Sequence, residues 1–396
     1  MEVEIGRGKK ARRAYGFDEI AVVPSRRTRD PDDVDISWTL GNYRFELPLL
    51  ASAMDGVVSP TTAGVIGRLG GLAVLNLEGI YTRYEDADEQ LERISALPKE
   101  LATREMQEIY REPVKPELIT QRIQEIKSHG VVVAGSLTPQ RVARHCELAL
   151  DAGLDVLVIQ GTVVSAEHVS ATTEPLNLKE FIASLEVPVV VGGCASYHTG
   201  LHLMRTGAAG VLVGVGPGAA CTTRGVLGIG VPQATAIADV AGARSQHMLE
   251  TGDYVKVIAD GGMRNGGDVA KAIACGADAV MLGSPLARAH EAPGRGFHWG
   301  MATFHPTLPR GARVSTKQDG TMEEILVGPA RENDGAFNLM GALRTSMATC
   351  GYKDIAEFNR AELVVAPALQ TEGKQLQRDQ QVGMGSNGKA AVLVND

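Results

Sequence analysis

Cys221 is the side chain of this sequence whose setting most clearly suggests chemistry. It lies in the glycine-rich stretch GPGAACTTRG, 216–225, directly after an apolar run that ends at 215. A thiol is nucleophilic as its thiolate, which nearby cations or backbone amides stabilise. Glycines let a flat ligand approach the backbone closely. We therefore predict that Cys221 is a catalytic nucleophile, with an inert, buried thiol as the alternative role.

The cysteine pattern excludes two other roles. The five cysteines are an odd number, widely spaced, and no pair follows a CxxC pattern. Neither a disulfide framework nor a zinc site fits that spacing, and the pattern indicates a reducing, cytoplasmic compartment.

The segment 1–17 lacks the apolar core of a signal peptide, and no run reaches the roughly 18–20 apolar residues of a membrane span. We expect a cytoplasmic protein that does not contact membranes.

A second group of candidate residues ends two other apolar runs. Asp260 begins the segment DGGMRNGGDVAKA, and Gly283 and Ser284 lie in LGSPLA. Glycine amides beside a helix start form anion sites, so both segments predict phosphate binding, with close packing as the alternative. The Asp260 carboxylate can accept hydrogen bonds from two ribose hydroxyls. Its alternative role is the N-cap of the following helix.

The elements that position these residues form a regular series. Eight short apolar runs end in small residues and alternate with helix-like stretches, at 47–54, 71–79, 130–137, 154–161, 187–193, 209–216, 254–262 and 278–284. Continuous apolar strands alternating with helices indicate a parallel sheet buried on both faces. Eight units predict an α/β fold, a closed (β/α)8 TIM barrel, with a doubly wound sheet as the alternative. In such a barrel the loops that follow the strands meet on one face and form the ligand site.

The domain organisation follows from where this series is interrupted. We predict one barrel domain over 1–369, with a charged helical insertion at 84–128 and a flap with C-terminal helices at 285–369. The polar tail 370–396 is expected to be mobile or used in assembly. The formal net charge of −8 argues against nucleic-acid binding, because no basic field would attract phosphate backbones.

At these residues the sequence resembles the IMP dehydrogenase/GMP reductase family, in its branch without CBS domains. The similar segments are FDEIAVVPS (17–25), LASAMDGV (50–57), GPGAACTTRGVLGIGVPQ (216–233), VIADGGMRNGGDVAKAIACGADAVMLGS (257–284) and EAPG (291–294). These segments occur in the family's order, and the resemblance as a whole covers most of residues 10–365. The resemblance implies a TIM barrel, usually a homotetramer, and purine nucleoside monophosphates (IMP, GMP or XMP) as ligands.

The resemblance also implies roles for individual residues. The dehydrogenase and the reductase share a covalent thioimidate between the cysteine and purine C2, which here falls to Cys221. Thr223 is expected to position the small molecule that attacks or leaves, and Glu291 to move the proton of ammonia; a surface carboxylate is the alternative for Glu291. The implied nucleotide-binding residues are Ser52, Met54, Asp260, Gly261, Gly262, Leu282, Gly283, Ser284, Gly300 and Met301.

A nicotinamide cofactor, NAD or NADPH, is implied by the same resemblance. Its expected contacts are Gln160, Gly161, Thr162 and Gly214, although VIQGT (158–162) lacks the family's aspartate at the cofactor ribose. The carbonyls of Gly216, Gly218 and Cys221 could also bind K+, as in the dehydrogenases. His298, in HWGMA, takes the place of a family tyrosine.

Departures from the family pattern bear on the direction of the reaction. The CBS module is absent, and the stretch 307–320 contains Arg310 and Arg313 but no tyrosine to complete the Arg-Tyr pair that activates water in dehydrogenases. Arginine alone is a poor base. These features favour a GMP reductase, which converts GMP and NADPH to IMP and ammonia. The alternatives are an IMP dehydrogenase and a non-catalytic purine-nucleotide-binding regulator.

Overall fold

Eight parallel strands close into a barrel in the computed structural model, which describes residues 2–169, 175–300, 312–366 and 372–384. Each strand pairs with the next along the chain, and the eighth pairs with the first. The strands are β1 Leu49–Ala51, β2 Leu72–Asn76, β3 Ala134–Leu137, β4 Val156–Gln160, β5 Val189–Cys194, β6 Gly210–Val213, β7 Lys256–Asp260 and β8 Ala279–Leu282. The predicted TIM barrel is confirmed, and each apolar run contains one strand.

Helices cover the outside of the barrel. They are α1 Pro60–Arg68, α2 Pro116–Ser128, α3 Val142–Asp151, α4 Leu178–Ala183, α5 Tyr197–Met204, α6 Gln233–Thr251, α7 Gly266–Ala274 and α8 Leu339–Thr349. The strands are buried on both faces; all five residues of β4 are buried, for example. This explains why the strands have continuous apolar sequences and not alternating ones.

Glycines end several of these helices and turn the chain into the next strand. Gly153, Gly207 and Gly276 have φ values of +100°, +88° and +114°, in the left-handed region where glycine carries no Cβ penalty. Each follows its helix within three residues and precedes a barrel strand. The predicted glycine caps are present, and they make the helix-to-strand connections short.

The predicted insertion 84–128 consists of two parts. Its last helix, α2, packs between α1 and α3 and is therefore a regular member of the barrel's outer ring. The additional elements are the helices Ala87–Ala96 and Lys99–Ile109. The sequence did not separate them because all three helices are charged and have a similar amphipathic pattern.

Small elements surround the barrel. Two-stranded sheets pair Glu2–Gly6 with Lys9–Arg12, Ile20–Val22 with Leu363–Val365, Trp38–Leu40 with Tyr43–Phe45, and Phe297–His298 with Val314–Ser315. Further short helices are Thr223–Leu227, Met322–Leu326, Ile355–Phe358 and Gln375–Asp379. The last of these lies in the predicted tail, most of which is outside the described residues. In the described part of the chain, no helix has the length and apolar character needed to cross a membrane.

Candidate active site

Cys221 lies at the mouth of the barrel, in the loop that follows β6. Its Sγ is 3.2 Å from the Oγ1 of Thr223, the buried first residue of the helix Thr223–Leu227. Its backbone amide donates to the carbonyl of Gly218 at 3.0 Å, which closes a tight turn before the thiol. A hydroxyl is thus fixed beside the only one of the five cysteines that is partly exposed.

The other four cysteines are buried thiols. Burial raises the pKa of Cys146 to about 11, and those of Cys194 and Cys275 to about 12. Burial also raises the pKa of Cys350. A thiol that stays protonated in an apolar surrounding is a poor nucleophile. Cys221 is therefore the cysteine that a ligand at the barrel mouth can reach.

The cysteine loop packs against the loop that follows β7. Gly261 and Gly262 have φ values of +77° and +82°, and both face the backbone of the loop that contains Cys221. A Cβ added at Gly262 would lie 3.0 Å from the Cβ of Pro217, and one at Gly261 would lie 3.4 Å from the amide nitrogen of Gly218. Glycine is required at both positions, so the Asp260 loop and the Cys221 loop form one continuous wall.

Glycines lie where two neighbouring strands, β5 and β6, end. A Cβ at Gly193, near the end of β5, would lie 2.5 Å from the carbonyl oxygen of Gly214, and a Cβ at Gly214 would overlap the carbonyl oxygen of Asp260. The ends of β5 and β6 therefore present backbone without side chains, next to the carboxylate that ends β7. Such a surface suits a flat ring, because no side chain projects from these two positions.

Asp260 ends β7 and is held from two directions. Its Oδ2 accepts a hydrogen bond from Nε2 of Gln160 at 3.1 Å, and its backbone carbonyl accepts one from Nε2 of Gln233, also at 3.1 Å. Burial raises the pKa of the carboxyl to about 7, and the bond from Gln160 opposes this rise. Asp260 does not cap the following helix, because the side chain of Asn265 is the N-cap of α7.

Gln233 is a residue whose part in the site the sequence analysis missed. Its amide also donates to the carbonyl of Val213 at 2.6 Å, so it joins the ends of β6 and β7. A signal was present, since Gln233 ends the motif segment GPGAACTTRGVLGIGVPQ. The glutamine opens α6, directly after Pro232.

The loop that follows β8, the barrel neighbour of β7, contains the predicted phosphate residues. A Cβ at Gly283 would lie 2.7 Å from the Sδ of Met54, and the amide of Ser52 donates to the carbonyl of Leu282 at 2.9 Å. The loops that follow β1 and β8 are therefore in direct contact. Ser284 contributes a hydroxyl at this junction.

His298 is hydrogen-bonded to that hydroxyl. Its Nε2 is 2.7 Å from Oγ of Ser284, and its side chain is fully buried. Burial lowers the pKa of His298 to about 4, so the ring is neutral at physiological pH. Gly300 closes this described segment, and Met301 lies outside the described residues.

Comparisons with known proteins agree with this geometry. The model of the IMP dehydrogenase/GMP reductase domain matches residues 14–374. The chain belongs to the IMP dehydrogenase/GMP reductase family. A relative from Mycolicibacterium smegmatis, named an uncharacterised oxidoreductase, is 48% identical over 92% of this chain and 99% of its own. The inosine-5'-monophosphate dehydrogenase of Methanocaldococcus jannaschii is 26% identical over 92% of this chain and 95% of its own.

A crystal structure supports the same assignment. The IMP dehydrogenase/GMP reductase-like protein of Corynebacterium glutamicum is 46% identical to this chain and superimposes with a TM-score of 0.88. The match covers 92% of this chain and 97% of the other. The structural similarity therefore extends over nearly the whole length of both chains.

The positions that the family resemblance links to a nicotinamide cofactor are neutral here. The amide of Gly161 donates to the carbonyl of Gly192 at 2.9 Å, and its carbonyl accepts from Gly193 at 3.0 Å, so its backbone joins β4 to β5. Thr162 is partly exposed, and the Oε1 of Gln160 is buried with no hydrogen-bond partner. The side-chain amide of Gln160, the hydroxyl of Thr162 and the backbone at Gly214 carry no charge. They would contact a nicotinamide ring and ribose without an ionic interaction.

The predicted K+ carbonyls have other surroundings in this family member. The carbonyl of Gly218 accepts the amide of Cys221, and a Cβ at Gly216 would lie 3.2 Å from the Nε of Arg224. A guanidinium beside Gly216 disfavours a second cation at that point. K+ binding by Gly216, Gly218 and Cys221 stays a prediction. Across the described residues, no group of three or more His, Cys, Asp or Glu could hold a metal ion.

Glu291 has a structural contact in the described residues, and its implied role with ammonia stays a prediction. The residue is exposed, and its Oε1 and Oε2 accept the backbone amide of Met322 at 3.2 and 3.0 Å. Within the described residues, no hydrogen bond joins it to Cys221 or Thr223. The carboxylate thus holds the start of the helix Met322–Leu326, a contact that the sequence did not reveal.

Arg313 is also held by structural contacts. Its guanidinium donates to the carbonyls of Ile94 and Leu97, at 2.5 and 2.7 Å, and lies 4.3 Å from the ring centroid of Phe297. It therefore attaches the segment after β8 to the inserted helix Ala87–Ala96 and is occupied there. Arg310, the other arginine of this stretch, lies outside the described residues.

Proposed function

We propose that the protein is an oxidoreductase that acts at C2 of a purine nucleoside 5'-monophosphate through a covalent bond to Cys221. One observation carries the proposal. The partly exposed Sγ of Cys221 lies 3.2 Å from the hydroxyl of Thr223, in a loop that packs directly against Asp260, Gly261 and Gly262. Nucleophile, positioned hydroxyl and ribose carboxylate thus share one wall of the barrel mouth.

The substrate is expected to span this mouth. Its phosphate would bind at Gly283 and Ser284, and its ribose hydroxyls would donate to the Asp260 carboxylate. The purine would then lie over the bare strand ends at Gly193 and Gly214, where no side chain obstructs it. This placement directs C2 toward the wall that contains Cys221.

The covalent step divides one difficult substitution into two easier ones. With IMP, the Cys221 thiolate would add to C2. NAD+, held by Gln160, Gly161, Thr162 and Gly214 when bound, would supply the acceptor for the hydride that leaves C2. Water then adds to C2 of the thioimidate, and the thiolate departs with formation of XMP. The balance is IMP + NAD+ + H2O → XMP + NADH + H+. Thr223 is the hydroxyl positioned to orient that water.

Two observations support the oxidative direction. The reductase mechanism needs a carboxylate to move the proton of ammonia, and the carboxylate of Glu291 accepts the backbone amide of Met322. In addition, the relative from M. jannaschii is named an IMP dehydrogenase. The sequence favours the reductase; on these two observations we propose IMP dehydrogenase as the first candidate.

GMP reductase remains the second candidate for a specific reason. The stretch 307–320 has no tyrosine that could pair with an arginine to activate water. Arg313 is also unsuited to that role, because its guanidinium donates to the carbonyls of Ile94 and Leu97. The reductive reaction needs no water: GMP + NADPH + H+ → IMP + NADP+ + NH3. Here Thr223 would orient the departing ammonia.

An assay in both directions tests the proposal. The protein is incubated with IMP and NAD+, and separately with GMP and NADPH, and absorbance of the reduced nicotinamide is followed. We expect NADH formation from the first mixture; NADPH consumption only in the second would establish the reductase instead. Tight nucleotide binding with no absorbance change in either mixture would overturn the enzymatic proposal and leave the regulator.

A further inference from the structure

A chain of hydrogen bonds joins the insertion to the nucleotide side of the barrel mouth. Asp55, directly after Met54 in the loop that follows β1, is 2% exposed. Its Oδ2 accepts from the hydroxyl of Tyr110, which follows the inserted helix Lys99–Ile109. The same hydroxyl accepts from Nε1 of Trp299 at 2.6 Å. The three residues are far apart in the sequence, yet they form one hydrogen-bonded cluster in which Asp55 and Trp299 are buried and Tyr110 is half-buried.

Trp299 connects this cluster to the predicted phosphate site. It is 2% exposed, and its chain neighbour His298 lies 2.7 Å from the hydroxyl of Ser284. A Cβ at Gly56, in the Asp55 loop, would lie 2.8 Å from the carbonyl oxygen of Phe297 and 3.4 Å from the ring of Trp299. The loop after β1 and the segment Phe297–Gly300 are therefore packed backbone to backbone around the Tyr110 hydroxyl.

Burial opposes a charge on Asp55, and its neighbours offset part of that effect. Burial raises the pKa of its carboxyl to about 6, while the Tyr110 hydroxyl, the Ile80 amide and the Arg83 guanidinium oppose the rise, in that order. The carboxylate form therefore prevails at pH 7, and hydrogen bonds to a charged acceptor are about twice as strong as neutral ones. Arg83 itself lies 5.8 Å from the Tyr110 ring centroid.

We propose that Tyr110 and Asp55 are positioning residues for nucleotide binding, which hold Trp299 and, through it, the His298–Ser284 pair in the geometry that receives the phosphate. This inference rests on the proposed function, because it takes the ligand to be a nucleoside 5'-monophosphate. It gives the inserted helices a role at the site: the insertion supplies the central hydroxyl of the cluster.

The test compares two substitutions that each remove one tyrosine hydroxyl near the insertion. Tyr110→Phe breaks the cluster, whereas the control Tyr84→Phe removes the bond from Tyr84 to the carbonyl of Ile109, 2.9 Å long, which does not involve Trp299. Dissociation constants are measured for IMP and for inosine, which lacks the phosphate. We expect Tyr110→Phe to weaken IMP binding about 10-fold, as loss of one positioned hydrogen bond predicts, with inosine binding changed less than about 2-fold. Tyr84→Phe should leave both constants close to wild type.

Substitutions at Asp55 provide a second arm that does not depend on Tyr110→Phe folding well. Asp55→Asn keeps an acceptor for the Tyr110 hydroxyl and should retain IMP binding within about 3-fold, whereas Asp55→Ala should match Tyr110→Phe. Equal losses for IMP and inosine, or equal effects of Tyr110→Phe and Tyr84→Phe, would overturn the positioning role while leaving the proposed function intact. A wild-type protein that binds neither IMP nor GMP would overturn the proposed function, and this inference with it.

Discussion

The two sides of the barrel mouth are built in different ways. The cysteine side, residues 214–222 and 260–262, is backbone packed on backbone, with glycines where a Cβ would collide. The tryptophan side, residues 52–56, 110, 283–284 and 297–300, is held by buried side chains that hydrogen-bond across long sequence separations. Close backbone packing at glycine also occurs on the tryptophan side, at Gly56, but that side is distinguished by its hydrogen-bonded network of Asp55, Tyr110 and Trp299.

This difference determines what each side tolerates. On the cysteine side, a methyl group added at Gly214 would meet the backbone carbonyl of Asp260, so a substitution there should cost stability as well as activity. On the tryptophan side, a substitution removes one hydrogen bond from a network, so its cost should be smaller and more specific to the ligand. The following predictions test this contrast.

Substitution of Cys221 should have the largest effect. Cys221→Ala removes the nucleophile, and we expect kcat to fall by more than about 10³-fold, while the dissociation constant for IMP changes little. Steady-state kinetics and equilibrium binding measure the two quantities. Cys146→Ala, which changes a buried thiol in α3, is the control and should retain turnover. Substantial activity in Cys221→Ala would contradict a covalent mechanism.

Two glycine substitutions test whether the backbone is tightly packed at the strand ends. Gly214→Ala would place a Cβ against the carbonyl oxygen of Asp260, and we expect unfolding free energy to fall by about 2–4 kcal/mol. Gly225→Ala, in the helix Thr223–Leu227, meets no atom within 4 Å and should be neutral or stabilising by up to about 1 kcal/mol. Denaturant unfolding measures both. Equal stability of the two variants would show that the strand ends are not tightly packed.

Asp260→Asn should raise the thermal stability of the protein and weaken its binding of the nucleotide. Because the pKa of Asp260 in the folded protein, about 7, lies above its value in the unfolded chain, its contribution to stability is full below about pH 4 and is lost as pH rises through 7. The variant should therefore gain a few degrees in Tm relative to wild type at pH 8, and less at pH 5.

The same variant should bind the nucleotide more weakly. Loss of the charged acceptor for ribose hydroxyls is expected to weaken IMP binding about 10- to 100-fold. In the wild type, affinity should rise between pH 6 and pH 8 as the carboxyl ionises. Flat affinity over that range, with unchanged binding by Asp260→Asn, would remove the ribose role from this residue.

Substitution of His298 should have the smallest effect. It tests whether the hydrogen bond between His298 and Ser284 contributes to IMP binding. His298→Gln can keep a hydrogen bond to Ser284 and should bind IMP within about 3-fold of wild type, whereas His298→Ala should lose about 10-fold. Because burial lowers the pKa of His298 to about 4, the ring stays neutral above pH 5.5. Equal IMP affinities for the Gln and Ala variants would show that the bond to Ser284 is not used.

The cysteine side could be predicted from sequence, and the tryptophan side largely could not. Asp260 ends one apolar run and the Cys221 loop follows another. Because strand ends of a parallel barrel meet at one face, local sequence predicts their proximity. The bonds of Tyr110 to Asp55 and Trp299 join three separate segments, and no periodicity encodes them. Glu291 illustrates the limit of motif transfer: its identity matched the family, but its hydrogen bonds depend on where Met322 lies.

The eight strands were predictable for a similar reason. Each barrel strand lies in a short apolar run of the sequence. The glycines that end preceding helices, Gly153, Gly207 and Gly276, are also local features. The division of 84–128 into a barrel helix and two inserted helices was not predictable, because it depends on which helix contacts α1 and α3. Local rules thus gave the barrel, and only tertiary contacts assigned the helices.

Trapping of the covalent intermediate tests the central claim most directly. Purine-labelled IMP with NAD+, and labelled GMP, are each mixed with the protein, quenched in acid during turnover and digested. The account predicts label on the peptide that contains Cys221, up to one equivalent per chain, and none on the Cys221→Ala variant. Sustained turnover of either nucleotide with no label on that peptide would contradict it.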